Sequence, residues 1–247
     1  MLLVTMVDVP FNQIRTYLIN LTNKCGYTYW NGHLRSKLKW LRDVEKINLI
    51  KKNSQRDMKV LDLGCGFGHM TLMIKEIGLE VIGIDVQKKN FTILKELDAP
   101  FLLCDGLALP FKSKIFDLIL ANGVLEHVGK EDEEKILLQE SCRVLKKKGI
   151  FYISALPRKY SFEHIASKLS IRSHTRYFDI KMVRTIIENA GFNIVQIENE
   201  QLVILNILPF WISNSLAVGL LALEKKFKMF QLGLYETYGI LTFKRKN

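Results

Sequence analysis

Three glycines at alternate positions, Gly64, Gly66 and Gly68, follow the apolar run Val60-Leu-Asp-Leu63, and helical periodicity begins at His69. This pattern predicts a buried strand ending in a turn too tight for side chains. Main-chain N–H groups in such a turn can approach a ligand, and the following helix directs the positive end of its dipole at the same spot. Carboxylates close the next two apolar runs: Asp85 follows residues 81–84, and Asp105 follows residues 101–104. A carboxylate at the end of a second strand suits the paired hydroxyls of a ribose. One after the third strand can accept a hydrogen bond from the exocyclic amine of an adenine. Together with the glycine turn, these residues imply an adenosine ligand.

The spacing narrows the choice among adenosine ligands. A dinucleotide fingerprint reads Gly-x-Gly-x-x-Gly, whereas this turn reads Gly64-x-Gly66-x-Gly68 with Asp62 two places before the first glycine. No Gly-x-x-x-x-Gly-Lys-Ser/Thr phosphate loop occurs. An acidic group so near the turn opposes a pyrophosphate but can receive an ammonium. A nucleoside bearing an aminoacyl group is therefore favoured over NAD.

These residues must be positioned by the elements around them. Residues 35–52 place Leu38, Leu41, Val44, Ile47 and Ile50 at helical spacing with Lys and Arg opposite, which predicts an amphipathic helix. It reads either as a helix on the domain edge or as a flap that brings Tyr27, Tyr29 and Trp30 near the pocket. After a polar linker at 53–57, strands are predicted at 59–63, 81–84, 101–104, 116–121, 150–154, 192–198 and 238–243. Helices are predicted at 69–77, 88–97 and 131–145, with Lys146 to Lys148 as the basic finish of the last. A further helix is capped by Asp179 and ended by Gly191. Alternating strands and helices predict a doubly wound, seven-stranded, mostly parallel sheet. Residues 1–52 form an N-terminal helical extension, and 53–247 form one domain with an apolar helical insertion at about 201–234. In such a sheet, ligands bind at the carboxyl ends of the strands, where Asn122, Glu126 and His127 also fall.

Length and composition agree with one large domain: 247 residues, 48% hydrophobic and 25% charged. A net charge of +11 attracts anions, whether nucleic acid, acidic lipid or an acidic substrate. Cys25, Cys65, Cys104 and Cys142 are scattered, without the pairing or His neighbours of a metal site. No metal and a reducing, cytoplasmic setting are expected. The opening residues, interrupted by Asp8 and Pro10, do not read as a signal peptide.

In this order the motifs resemble those of the class I S-adenosylmethionine-dependent methyltransferases, specifically the broad type 11 group. The resemblance runs from about Val60 to Glu198. Val60-Leu-Asp-Leu-Gly-Cys-Gly-Phe-Gly68 is similar to the first motif, and Val81-Ile-Gly-Ile-Asp85 to the second-strand motif. Cys104-Asp-Gly-Leu-Ala-Leu-Pro-Phe111 resembles the adenine-binding loop. Phe116-Asp-Leu-Ile-Leu-Ala-Asn-Gly-Val-Leu-Glu-His-Val128 resembles the fourth-strand motif, and Arg143-Val-Leu-Lys-Lys-Lys-Gly-Ile150 the approach to strand five. The resemblance implies a Rossmann-like methyltransferase fold with S-adenosylmethionine as cofactor. It implies that Gly64 and Gly66 face the methionine part, with Cys65 and Gly68 in the same loop. Asp85 with Val86 would meet the ribose, Asp105 with Gly106 the adenine edge, and Asn122 the sulfonium side. Asp62 would act on the ammonium, directly or through water, or support the turn.

Methyl transfer from a sulfonium is an in-line displacement in which alignment is the main task, and positioning can supply on the order of 7–11 kcal/mol. A general base is needed only for an acceptor with a high pKa. His127 is the best placed by sequence, although its segment recurs among family members with differing substrates, so a structural role stands beside the catalytic one. His174 and Tyr177 resemble a segment that closes over the pocket and are candidate acceptor contacts.

Leu202 to Leu223 contains no charged residue. A membrane span is disfavoured by Asn206, Pro209, the run Ser213-Asn-Ser215 and the strand that follows. The segment reads either as core helices or as an interfacial hairpin with Phe210 and Trp211 at the head groups and Lys225, Lys226 and Lys228 beside it. Both imply a small or lipid-like hydrophobic methyl acceptor, and the second adds peripheral contact with an anionic membrane. RNA is the alternative acceptor, disfavoured by the missing Asn/Asp-Pro-Pro-Tyr motif and by interleaved acidic residues. A cofactor-binding module without catalysis is the other alternative. Oligomeric state is not legible.

Overall fold

The computed structural model describes residues 8–26, 34, 36–129, 131–161, 164, 176–202, 216, 219–220, 223 and 235–245. Tyr27, Tyr29, Trp30, His174, Phe210, Trp211 and the basic residues at 225, 226 and 228 lie outside the described residues, as does nearly all of 203–234.

Seven strands form one sheet in the order β3-β2-β1-β4-β5-β7-β6. They are β1 (Lys59–Leu63), β2 (Glu80–Asp85), β3 (Phe101–Leu103), β4 (Phe116–Asn122), β5 (Leu145–Pro157), β6 (Phe192–Leu202) and β7 (Tyr235–Lys244). β1 pairs in parallel with both β2 and β4, while β7 runs antiparallel to β5 and β6. The chain order therefore reverses at β1 and β4, which is where an open sheet splits to admit a ligand. Residues alternate between two cores. Val60, Leu118, Leu120 and Ile150 face helices α1 (Asp8–Lys24), α2 (Lys37–Asn53) and α3 (His69–Glu76). Leu61, Leu63, Ile119, Phe151 and Ile153 face α5 (Glu131–Val144) and α6 (Ile180–Asn189).

Among the described residues the expected strands and helices are present, with differences at their ends, while the helical insertion expected at about 201–234 lies almost wholly outside them. α2 begins after the N-cap Ser36, whose side chain accepts from Lys39 N–H, and buries Leu38, Leu41, Val44, Ile47 and Ile50. Its opposite face is not the solvated basic face that the spacing predicts. Trp40, Arg42, Asp43 and Lys46 are also buried, because α1 and Leu34 join α2 in the same core. The helix predicted at 88–97 is a 3-10 turn, Lys88–Asn90, followed by one α-turn, α4 (Phe91–Leu94). The Glu96 and Leu97 amides bond three residues back, so the tightened end drops Leu94 and Leu97 onto the glycine turn.

The end of α5 is the clearest correction. Lys146 to Lys148 belong to β5, which starts directly at Leu145 by pairing with Phe116. Lys146 Nζ bonds both carboxylate oxygens of Asp117 at 2.8 and 2.9 Å, so the basic run is drawn into the sheet. The end of α5 is instead met from afar: Lys244 Nζ donates to the carbonyl oxygen of Cys142 in its last turn and to that of Leu145 just beyond it.

Gly68, the N-cap of α3, has φ +81°, and a Cβ there would come within 2.8–2.9 Å of Leu97, Leu94 and Phe101 side-chain carbons. Gly68→Ala combines left-handed strain with overpacking, about 2–5 kcal/mol together. Urea titration should show that loss; a midpoint unchanged from wild type would refute this account of Gly68.

Candidate functional site

The glycine turn and the end of β2 are tied by one carboxylate. Gly66 N–H donates to Asp85 Oδ2 at 2.8 Å, and Gln87 N–H donates to Asp85 Oδ1 at 2.7 Å. Each oxygen keeps a further lone pair for a hydroxyl donor. Gly66 has φ +57°, and a Cβ built on it would meet nothing within 4 Å, so the turn presents bare backbone to open space. Val86, next to Asp85, is 63% exposed, an apolar surface suited to the face of a sugar or base. Asp105 is exposed at the same edge, and its Oδ1 accepts from Leu107 N–H at 2.9 Å, leaving Oδ2 for another donor.

The loop after Asp105 is clamped from α5. Arg143 donates to the carbonyls of Leu109 and Phe111, and Glu140 accepts from the Leu109 amide while pairing with Arg143 at 2.7 Å. The Arg143 guanidinium holds the Glu140 carboxyl below its ordinary pKa, so the pair stays charged. Gly106 is needed for this approach, since a Cβ there would lie 2.7 Å from Leu137.

Asp62, Cys65 and Gly68 hold the turn from behind. Asp62 is 1% exposed, and Thr71 Oγ1 of α3 donates to its Oδ2 at 2.6 Å. Burial pushes its carboxyl up to about 6, against the opposing effect of the Thr71 hydroxyl. The Thr71 bond ties the first turn of α3 to β1. Cys65 is buried, its amide donates to the Ile84 carbonyl, and its carbonyl accepts from Gly68 N–H. Gly68 faces the Leu94–Leu97 side, away from the bare backbone of Gly66.

Asn122, at the end of β4, is joined to a residue absent from the sequence reading of the site. Lys46 Nζ of α2 donates to Asn122 Oδ1 at 3.0 Å. Asp43, one turn earlier, lies 3.5 Å from Lys46 Nζ and 3.3 Å from His69 Nε2, and His69 stacks on Phe67 of the glycine turn. The available signal was positional: Asp43 and Lys46 are three apart and interleave with the core positions Val44 and Ile47. A second polar group adjoins it on the same sheet face. Asn122 is in register with Ser154 of β5, whose hydroxyl bonds Glu200 at 3.1 Å. Glu200 reaches there from β6, across β7, because Gly239 has no side chain in its way. Tyr152 donates to the same carboxylate at 3.2 Å, and burial keeps its phenol protonated well above the ordinary range.

The remaining candidates are less enclosed. The His127 side chain is 64% exposed in the 3-10 turn Leu125–His127, with Nε2 3.9 Å from Glu126 Oε1. Glu126 itself is buried. The Tyr177 ring lies 4.7 Å from that of His164, and the neighbouring Arg176 pairs with buried Glu134 at 2.5 Å. Among the described residues no cluster of His, Cys, Asp and Glu has the arrangement of a metal site, and no helix is long and apolar enough to cross a membrane.

A methyltransferase domain model matches residues 61–153, from β1 through most of β5. The chain is 30% identical over 191 residues to a ubiquinone biosynthesis O-methyltransferase of Pelagibacter ubique, covering 66% of this chain and 77% of that protein. It is 33% identical over 103 residues to a tRNA (carboxymethyluridine(34)-5-O)-methyltransferase of Xenopus tropicalis, covering 41% of this chain and 16% of that protein. In structure it resembles a methyltransferase of Methanosarcina mazei, with a TM-score of 0.61 at 17% identity over 81% of this chain and 98% of the other. It also resembles phosphoethanolamine N-methyltransferase 2 of Haemonchus contortus solved with S-adenosyl-L-methionine, with a TM-score of 0.59 at 19% identity over 84% and 53%. The sheet order and the glycine–carboxylate cradle define a Rossmann-like nucleoside-binding enzyme. The chain belongs to the class I S-adenosylmethionine-dependent methyltransferases, and S-adenosylmethionine is its cofactor.

Asp62 allows a direct check on the support of the turn. Its folded carboxyl, at about 6 against an ordinary 3.8, holds its proton more tightly than the unfolded chain does. Its favourable contribution is complete below pH 3.8 and is lost as pH rises through 6, a change of about 3 kcal/mol. Asp62→Asn, which still accepts from Thr71, should gain melting temperature relative to wild type between pH 4 and pH 7 in ligand-free protein. A difference that stays flat with pH would show that Asp62 is not a buried carboxyl of this kind.

Proposed function

We propose that this methyltransferase transfers its methyl group to a small or lipid-like hydrophobic acceptor. The supporting observation is topological. β6 ends at Leu202 and β7 begins at Tyr235, paired with each other at the carboxyl edge of the sheet, the edge that carries Asp85, Asp105 and Asn122. The connection at 203–234 therefore leaves from and returns to the side of the sheet where the methyl group is delivered. Its first twenty or so residues carry no charge. An acceptor taken against so apolar a segment gains by burying its own apolar area, at about 25 cal/mol per Å². The similarity to a ubiquinone biosynthesis O-methyltransferase, over most of that protein's length, supports the same reading and makes a quinone precursor a fitting example. With Lys225, Lys226 and Lys228 beside it, the segment also suits peripheral contact with anionic lipid, and a cytoplasmic setting accords with the free thiols.

In this reading Gly64 and Gly66 hold the methionine part of the cofactor, Asp85 the ribose hydroxyls, Val86 and Asp105 the adenine, and Asn122 lines the methyl side. The cofactor supplies a methyl group on a cationic sulfur, so the protein has to align the acceptor and exclude water. His127, exposed at the rim, can pass a proton to solvent, while Tyr177 and His174 belong to the segment that follows β5 and would contact the acceptor.

RNA is the second reading, favoured by the similarity to the tRNA methyltransferase and by the net charge of +11. Methyl-labelled S-adenosylmethionine supplied with fractionated extract separates the two. Label should enter the lipid-soluble fraction; label in RNA would overturn the proposal. Asp85→Ala should weaken cofactor binding by about 10- to 100-fold, the loss of charge-assisted hydrogen bonds, with Asp105→Ala losing less. Calorimetry giving unchanged affinity for Asp85→Ala would overturn the assignment of Asp85 to the ribose.

A further inference from the structure

The Lys46 ammonium is one charged group on the methyl side whose purpose the fold alone does not supply. Its side chain is 8% exposed, on a helix whose other buried positions are mostly apolar. Burying a cation costs several kcal/mol unless it is well paired. Its pairing is incomplete: Asp43, at 3.5 Å, also faces His69 at 3.3 Å, and the Asn122 bond is to a neutral amide. Among the described residues its third N–H has no partner. Glu200, the next carboxylate along the face, is engaged with Ser154, Tyr152 and the Ala155 amide. The ammonium thus adjoins the delivery point of a cationic methyl donor. An acceptor that ends as a cation, as an amine does on methylation, would place two like charges together in a buried space. An acceptor that begins as an oxyanion and ends as a neutral ether removes the conflict.

We propose that Lys46 is the acceptor-binding cation of the site, and that the acceptor presents an ionisable hydroxyl of the phenol or enol class, held as its anion beside Asn122. This rests on the reading of a hydrophobic acceptor and specifies its reacting group. The hydroxyl proton leaves to solvent as the oxyanion forms against Lys46. The oxygen lone pair then forms the O–CH3 bond while the CH3–S bond breaks and its electron pair returns to sulfur. The ether is neutral, so its hold on Lys46 weakens and release is favoured.

4-Nitrocatechol, whose absorption reports its ionisation, tests this in the presence of S-adenosylhomocysteine, which carries no sulfonium. On wild-type protein the bound probe should ionise at a pH at least one unit below that of the free probe. Lys46→Met should abolish that displacement and lose about 10- to 100-fold in kcat/KM, with S-adenosylhomocysteine affinity within about threefold of wild type. Lys46→Arg, which keeps the charge, should retain most of the displacement. A probe that stays unbound or ionises as in solution on wild type overturns the proposal, whether or not Lys46→Met folds. So does Lys46→Met if it weakens S-adenosylhomocysteine binding as much as catalysis, which would make Lys46 a cofactor contact. Lipid-soluble label found on nitrogen would sink this inference and leave the hydrophobic-acceptor reading standing; label in RNA would sink that reading itself.

Discussion

The bond from Gly66 N–H to Asp85 Oδ2 is the constraint on which the rest of the molecule turns. It joins the turn after β1 to the end of β2, one residue beyond the backbone bond from Cys65 N–H to the Ile84 carbonyl. A carboxylate that accepts two backbone amides is fixed in orientation, and its remaining lone pairs are aimed without further reorganisation. Asp62 completes the arrangement from the opposite side by binding Thr71, so the start of α3 cannot move independently of β1. The glycines supply conformations, but the two aspartates keep those conformations in one place.

The two faces of the sheet divide the labour. The α5 face is a conventional apolar core, and α5 holds the loop after Asp105 through the Glu140–Arg143 clamp and the close approach of Leu137 to Gly106. The face covered by α1 and α2 is apolar in depth but polar at the carboxyl edge, where Lys46, Asn122, Ser154 and Glu200 follow one another. Polar groups buried in this way must satisfy each other, and they leave a defined chemical character for whatever binds among them. The edge around Gly66, Asp85 and Asp105 is thus backbone and carboxylate, while the edge around Asn122 draws its polar groups from α2 and from the end of β6.

Much of the fold was legible in sequence because its signals are local. β1 was read at its true limits, since an apolar run beside three alternating glycines has few other meanings. The boundaries that moved did so through distant partners. Lys146 to Lys148 look like a helix finish until Asp117 and Phe116 draw them into the sheet. The helix after Asp85 shortens because Leu94 and Leu97 must reach Gly68. A lysine between core positions ordinarily marks a solvated face, and Lys46 is buried instead because the fold sets it against Asn122 of β4, with His69 of α3 on the far side of Asp43.

Legible in the chain alone are the strand–turn–helix at Gly64 to Gly68, the carboxylates Asp85 and Asp105 that close β2 and follow β3, and through the family these mark, the cofactor. These depend on backbone conformations that only particular residue types adopt at fixed spacing. Tertiary packing separates Gly66, whose backbone meets open space, and Asp85, which takes two amides, from Asp62, Cys65 and Gly68, which are buried behind the turn. It also brings Lys46 of α2 to Asn122 at the end of β4. Contacts between residues 76 positions apart, such as Lys46 with Asn122, leave no periodic trace in a chain and exist only once the sheet has brought its edges together.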